Sequence, residues 1–101
     1  MDDAPPEAVS PFYDWDGSPL TTEQWAEKFE LGKNHVANDL VGESRISTVW
    51  LGLDHSFFDG PPLIFETMVF GGKHDMFQKR YCTEEQAKEG HARVVAMCRE
   101  T

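Results

Sequence analysis

The sequence predicts a single small α+β domain in which two helices flank a three- to four-stranded antiparallel sheet. Apolar residues recur at helical spacing near both ends of the chain, and runs rich in β-branched and aromatic residues fill its middle. Short turns containing glycine separate these runs. Because short connections join antiparallel neighbours, we expect one antiparallel sheet, with both helices in a single layer on one of its faces.

The N-terminal residues are expected to precede the folded domain. Residues 1–11 contain three prolines and three acids without any periodicity, which predicts a flexible tail. Residues 12–101 then form the domain. Three aromatic residues at its start, Phe12, Tyr13 and Trp15, are expected to anchor this segment to the body, and the Asp-Gly-Ser-Pro sequence that follows predicts a turn.

The first helix is predicted to begin at Thr21. Thr21 and Gln24 fit a capping box, in which each side chain binds the backbone N–H of the other residue. Trp25 and Phe29 lie at helical spacing and form the apolar stripe. Gly32 suits the position that follows the last turn of a helix.

Four runs in the middle of the chain predict strands, at residues 35–41, 45–57, 63–70 and 77–82. The first run is ambiguous, because its apolar residues would also line a helical turn, but the turn at Gly42 favours a strand. A second helix is predicted from Thr83, with Gln86 completing another capping box. Its apolar stripe is Ala87, His91, Val94, Val95 and Cys98.

The strand pattern also predicts which residues share a face of the sheet. One face is expected to carry Val49, Leu51, Leu53, Phe65 and Val69 against the helices. The opposite face would then carry Ile46, Thr48, Trp50, Ile64, Glu66 and Met68. If no helix covers that face, it is an apolar patch of the kind that binds partners, with Trp50, Glu66 and Met68 as contact residues.

Acidic residues are concentrated near the N-terminus. The net charge is −9, and the first thirty residues hold eight acids and one base. Binding to a phosphate backbone or an anionic membrane is therefore disfavoured, whereas a basic protein would be attracted. The predicted contact residues are Asp14, Asp16, Glu23, Glu27 and Glu30. The alternative is that these acids form a solvated face that keeps the protein soluble.

The two cysteines are expected to be reduced. On one helix Cys82 and Cys98 would lie roughly 24 Å apart, far beyond the reach of a disulfide. Reduced thiols fit a reducing cytoplasm. The chain has no apolar run long enough to span a bilayer, and its N-terminal residues lack the basic and apolar regions that we expect of a secretory signal. Cys82 precedes a helix N-terminus, so we expect a lowered pKa for its thiol.

The chain has no complete catalytic or cofactor motif, and we predict no cofactor. No two of its four histidines have the spacing of metal ligands on a helix or hairpin. His91 is expected to be a core histidine that bonds a backbone carbonyl. Glu66 lies in a predicted strand and needs a partner if it is buried, for which Arg45 or Arg80 is available. His55 and Glu66 remain a possible polar site.

Two segments, residues 46–57 (ISTVWLGLDHSF) and 60–72 (GPPLIFETMVFGG), carry a resemblance to a known family. With residues 16–19, Trp25, residues 41–42 and residues 80–85, the chain resembles a family of small uncharacterised proteins encoded by bacteriophages and prophages. The loop at residues 57–59 and the segment 73–79 depart from the family pattern. The resemblance implies expression inside a bacterium and brings no catalytic residues.

These observations lead to one functional hypothesis and two alternatives. The hypothesis is a phage accessory protein in the bacterial cytoplasm that binds and modulates or inhibits a host protein, with carboxylates that imitate nucleic-acid phosphates. One alternative is a small enzyme or metal-dependent protein that uses the His55 and Glu66 region. The other is a phage structural or assembly component that self-associates.

Overall fold

Four antiparallel strands and a long C-terminal helix form the body of the protein. The computed structural model describes residues 11–54 and 60–100, so the predicted tail lies outside the described residues except for its last residue. The elements are β1 (Phe12–Tyr13), β2 (Pro19–Leu20), α1 (Thr22–Glu30), β3 (His35–Val41), β4 (Ser44–Trp50), β5 (Phe65–Phe70), β6 (Gln78–Tyr81) and α2 (Glu84–Arg99). The main sheet has the order β3-β4-β5-β6, and β1 and β2 form a separate pair. The predicted α+β class is confirmed.

The predicted caps fix the start of α1. The Thr21 hydroxyl accepts a hydrogen bond from the backbone N–H of Gln24 at 3.1 Å, and the Gln24 side chain accepts one from the backbone N–H of Thr21 at 2.9 Å. After the C-cap at Leu31, Gly32 adopts a φ of +70°, a left-handed conformation that glycine reaches without strain. Both ends of the helix are therefore where the sequence predicts them.

Residues 35–41 form a strand, which resolves the ambiguity left by the sequence. β3 and β4 make a hairpin in which Val41 pairs with Ser44 across two turn residues. Gly42, the first turn residue, has a φ of +59°, and glycine at this position is typical of a two-residue hairpin. The hairpin places Asp39 opposite Ile46, on the side of the sheet that α2 covers.

The predicted assignment of the sheet faces is wrong for β4. Trp50 pairs with Phe65, and Ile46 pairs with Val69, so these four side chains lie together on the covered face. All four are fully buried. The error arises because β4 ends at Trp50 and Gly52 then turns with a φ of +74°, so the residues that follow no longer alternate with β4. A displacement of one residue in register moves every side chain to the other face.

Two adjoining hydrophobic clusters lie on the covered face. Ile46 and Val69 pack against one side of α2, whose contacting residues are Val94, Val95 and Cys98. Trp50 and Phe65 belong to the second cluster, where they meet the aromatic residues of the N-terminal segment and of α1. α2 therefore packs across the covered face, and α1, which lies on β1 and β2, reaches the same face through aromatic contacts with Trp50.

The opposite side of the sheet, which we call the open face, carries a mixture of apolar and charged side chains. Leu40, Arg45 and Phe70 are neighbours across β3, β4 and β5. Leu40 is 76% exposed, and the Arg45 guanidinium lies 4.6 Å from the centre of the Phe70 ring. Glu66 and Met68 lie on this face, in agreement with the sequence, but Trp50 does not.

We expect Gly90→Ala to destabilise the protein, although alanine favours a helix over glycine by about 1 kcal/mol. A Cβ at this position of α2 would lie less than 3.0 Å from the Tyr81 ring, and such overpacking costs about 1–3 kcal/mol. Urea denaturation should therefore show a lower free energy of unfolding. Glu89→Ala, at the exposed neighbouring position, is the control. An equal gain in stability for both variants would contradict the close packing of Tyr81 on α2.

Candidate functional site

Helix α1 presents three carboxylates on one side. Glu23, Glu27 and Glu30 are all exposed, because Trp25 and Phe29 turn the opposite side of the helix toward the core. None of the three glutamates forms an ion pair with a described residue. Their charges therefore face solvent, as the spacing of the three residues predicts.

The two aspartates before α1 differ from each other in availability. Lys28 donates to the Asp14 carboxylate at 2.8 Å, which joins the turn to α1 and pairs the charge of Asp14. Asp16 is exposed and accepts a hydrogen bond from the backbone N–H of Ser18 at 2.9 Å. Hydrogen bonds from Ser18, mainly from its backbone and also from its side chain, hold the pKa of Asp16 below its ordinary value. Asp16 thus stays charged in mildly acidic solution. Asp14 is less available to a partner, because its charge is already paired with that of Lys28.

A cleft adjoins these carboxylates. It has a volume of about 410 Å³ and is lined by Trp15, Glu27, Lys28, Leu31 and Lys33. Leu31 is 61% exposed there. The sequence did not indicate this cleft, because it forms only where the turn before α1 folds back beside the last residues of the helix. We call the five predicted carboxylates together with this cleft the acidic face.

The alternative contact surface that we predicted on the sheet does not include Trp50. Trp50 is fully buried, and its indole N–H donates to the Tyr13 carbonyl at 2.9 Å. A partner therefore has no access to Trp50. Met68 and Glu66 are half-buried on the open face, where Leu40 and Phe70 supply the exposed apolar surface instead.

The possible polar site is only partly described. His55 lies outside the described residues. The Glu66 carboxylate binds the Arg80 guanidinium at 3.2 Å and also accepts a hydrogen bond from Gln78, which confirms Arg80 as its partner. Arg45, the other predicted partner, stacks on Phe70. Within residues 11–54 and 60–100, no three histidine, cysteine, aspartate or glutamate side chains lie close enough to hold a metal ion.

His91 is buried as predicted, but its partners are side chains and not a backbone carbonyl. Its Nδ1 lies 2.7 Å from the Thr48 hydroxyl, and its Nε2 lies 2.7 Å from the Asp39 carboxylate. The Thr48 hydroxyl is also 2.5 Å from that of Thr67. The order Asp39, His91, Thr48 resembles a catalytic triad. Thr48 is fully buried, however, and its hydroxyl oxygen also bonds to Thr67, so no substrate reaches it. This chain of hydrogen bonds joins α2 to three strands.

The predicted lowering of the Cys82 pKa is wrong. Burial of the thiol raises its pKa, and the negative charge of Asp54 raises it further. Both effects favour the protonated form of the thiol. Neither cysteine forms a disulfide with a described residue. The Cys82 thiol is therefore less readily deprotonated than an ordinary cysteine thiol.

Comparison of the chain with protein-family models, with curated proteins and with solved structures finds no match. The resemblance to phage-encoded proteins consequently stays a prediction. No helix among the described residues is long and apolar enough to cross a membrane.

We expect alkylation of Cys82 by iodoacetamide to reach half of its maximal rate at a higher pH than alkylation of N-acetylcysteine amide, a blocked cysteine without a free carboxylate. The raised pKa keeps the thiol protonated over a wider pH range, and only the thiolate reacts. Mass spectrometry resolves Cys82 from Cys98. Asp54→Asn should lower the midpoint, because it removes the negative charge but keeps an oxygen that can accept from the Leu63 N–H. A midpoint at or below that of the reference thiol would contradict the assigned environment.

We expect Thr48→Val to lower the free energy of unfolding by about 1–3 kcal/mol, because it leaves buried polar atoms of His91 and Thr67 without a partner. Thr67→Val should cost less, since the Thr48 hydroxyl can still donate to His91. Urea denaturation of both variants measures the difference. Equal losses would show that the hydroxyls do not act as a directed chain.

Proposed function

We propose that this protein is a non-enzymatic accessory protein that binds a basic surface of a partner protein through its acidic face. The observation that supports this proposal most strongly is the set of exposed glutamates on α1, none of which pairs with a described cation. A partner that supplies lysine or arginine side chains would pair these charges. Because complementary charges mainly raise the association rate and the specificity, the interaction should depend on ionic strength.

The placement of the charges within α1 also supports a binding role. Glu23 lies in the first turn, where the helix dipole favours an acid. Glu27 follows it by four residues, and two like charges at this spacing cost an isolated helix a few tenths of a kcal/mol. Glu30 lies in the last turn, where the dipole disfavours an acid. Folding alone does not favour this arrangement, whereas docking to a cationic surface does.

The cleft beside α1 adds an apolar contact to the proposed interface. Trp15 and Leu31 line it, and Leu31 is exposed. Exposed apolar side chains beside charges can supply the buried anchors that carry most of the binding energy of an interface. The carboxylates would then orient the partner, while an apolar side chain of the partner enters the cleft.

The resemblance to phage-encoded proteins defines the setting of this proposal. It implies that the partner is a bacterial host protein in the cytoplasm. A row of carboxylates can imitate the phosphates of a nucleic acid, so the class of partner that fits best is a protein with a nucleic-acid-binding surface, such as a defence nuclease. Binding would then block access of the nucleic acid to that surface.

A second candidate function is self-association through the open face. The exposure of Leu40 and Phe70 on this face favours it, because exposed apolar side chains on an open sheet are typical of contact surfaces. Self-association would fit a structural or assembly component. By comparison, the enzyme hypothesis has weaker support, since the Glu66 carboxylate is already bound by Arg80 and Gln78.

Reversal of charge on α1 should abolish partner binding. We expect tagged wild-type protein to retain a stoichiometric partner from bacterial lysate at low salt and to lose it at high salt. The variant Glu23→Lys, Glu27→Lys, Glu30→Lys should retain none, because it replaces the carboxylates that face the partner.

The matched control is Glu85→Lys, Glu89→Lys, Glu100→Lys, which changes the net charge equally at exposed positions of α2 and its C-cap. It should behave as the wild type does. If both triple variants lose the partner, net charge and not the acidic face is responsible. Circular dichroism checks that both variants fold, and a mass that rises with concentration would favour self-association.

A further inference from the structure

A groove with a different character runs between the edge strand β6 and helix α2. Its inner part has a volume of about 180 Å³, and its outer part has a volume of about 280 Å³. Lys79, Tyr81 and Arg93 line both parts. Phe77, Val94 and Met97 make the inner part apolar. The groove therefore combines an apolar floor with the cationic side chains of Lys79 and Arg93, while Arg80, which pairs with Glu66, also lines the outer part.

The Tyr81 hydroxyl in this groove has no partner among the described residues. Tyr81 is 5% exposed, and its oxygen is buried without a hydrogen bond. A buried hydroxyl without a hydrogen bond destabilises the folded protein, so most buried hydroxyls have a partner. The ring lies against Gly90, where any side chain would collide with the ring and with the hydroxyl itself. Because residue 90 is glycine, the Tyr81 ring can lie close to α2, and its hydroxyl is left as an unused hydrogen-bond donor.

The two cations are also unpaired. Lys79 and Arg93 are exposed, and neither forms an ion pair with a described residue. Glu89 lines the outer part of the groove, four residues before Arg93, yet it does not approach Arg93 within ion-pair distance. Two long side chains with unpaired positive charges thus flank a buried donor, in a protein whose net charge is −9.

We propose that this groove binds a carboxylate that is attached to a small apolar body. The carboxylate would pair with Lys79 and Arg93, and it would accept a hydrogen bond from the Tyr81 hydroxyl when the long side chains that line the groove move to uncover this buried oxygen. An arginine can bind both oxygens of a carboxylate at once. The apolar body would lie against Phe77, Val94 and Met97, which suits a ligand of about ten non-hydrogen atoms on volume grounds. The site is separate from the acidic face, so the two proposals stand or fall independently.

Titration with 3-phenylpropionate tests the site, with the neutral 3-phenylpropionamide as the matched ligand. Amide NMR spectra of the full chain should show saturable shifts that are confined to residues 77–81 and 90–97. The amide should bind at least tenfold more weakly, because it cannot pair with the two cations. No saturation up to about 10 mM, or equal binding of the two ligands, would overturn the proposal.

Tyr81→Phe is the sharpest variant, because the proposal predicts opposite effects on stability and on binding. Without ligand, the variant should be at least as stable as the wild type in urea, since it removes an unsatisfied buried group. It should bind 3-phenylpropionate about tenfold more weakly, since it has lost one charge-assisted hydrogen bond. Unchanged binding, or a loss of stability without ligand, would show that the hydroxyl has another role and would overturn the proposal.

Arg93→Gln provides a second variant at an exposed position. It removes the positive charge and keeps most of the side chain, so the fold should be unaffected. Binding of 3-phenylpropionate should weaken several-fold, and binding of the amide should not change. Glu89→Gln is the control, because it removes an acid from the outer groove and should strengthen binding of the acid. Stronger binding of the acid by Arg93→Gln and weaker binding by Glu89→Gln would contradict the proposed orientation of the carboxylate.

Discussion

The buried indole of Trp50 is the contact on which the N-terminal half of the structure depends. It packs with the Phe29 ring of α1 at a centroid distance of 5.2 Å and donates its N–H to the Tyr13 carbonyl at 2.9 Å. Gly52 allows the chain to turn beside it, because a side chain there would collide with both Trp25 and Trp50. α1 packs on β1 and β2, so aromatic contacts with the end of the sheet fix the direction in which α1 presents its carboxylates. The acidic face is exposed because its opposite side is held by Trp50.

The other half of the sheet is joined to α2 in a different way. Apolar contacts from Ile46 and Val69 supply most of the burial, and the hydrogen bonds of His91 then specify how the helix is placed. A hydrogen bond adds little net stability, but leaving one partner unsatisfied is costly, so such a chain disfavours displaced arrangements of α2. The same helix position brings Gly90 against Tyr81, and thereby forms the groove. The internal hydrogen bonds and the groove are thus consequences of one packing geometry.

Local signals predicted the elements well, whereas contacts between distant residues escaped prediction. The Thr21 capping box, the glycine turn at Gly42 and the strand composition depend on residues near one another in sequence, and all are observed. The face that carries Trp50 was assigned wrongly, because alternation within one strand shows neither its register with the next strand nor that β4 ends before Gly52. The clefts were not predicted, since each unites residues from separate elements. The raised pKa of Cys82 depends on burial and on Asp54, neither of which a helix-terminus pattern reveals.

The two surfaces also show why net charge alone is a limited guide to binding. Residues 11–30 contain five acids and one base, whereas residues 73–99 contain six bases and four acids. At physiological ionic strength the Debye length is about 8 Å, so an approaching group responds mainly to the charges nearest to it. The net charge of −9 therefore disfavours a long polyanion, which contacts much of the surface at once. It does not disfavour a single carboxylate between Lys79 and Arg93, whose local field is positive. An acidic protein can thus attract cations at α1 and an anion at β6. Screening limits each ligand to the charges close to it, and the net charge does not show how the charges are distributed over the surface.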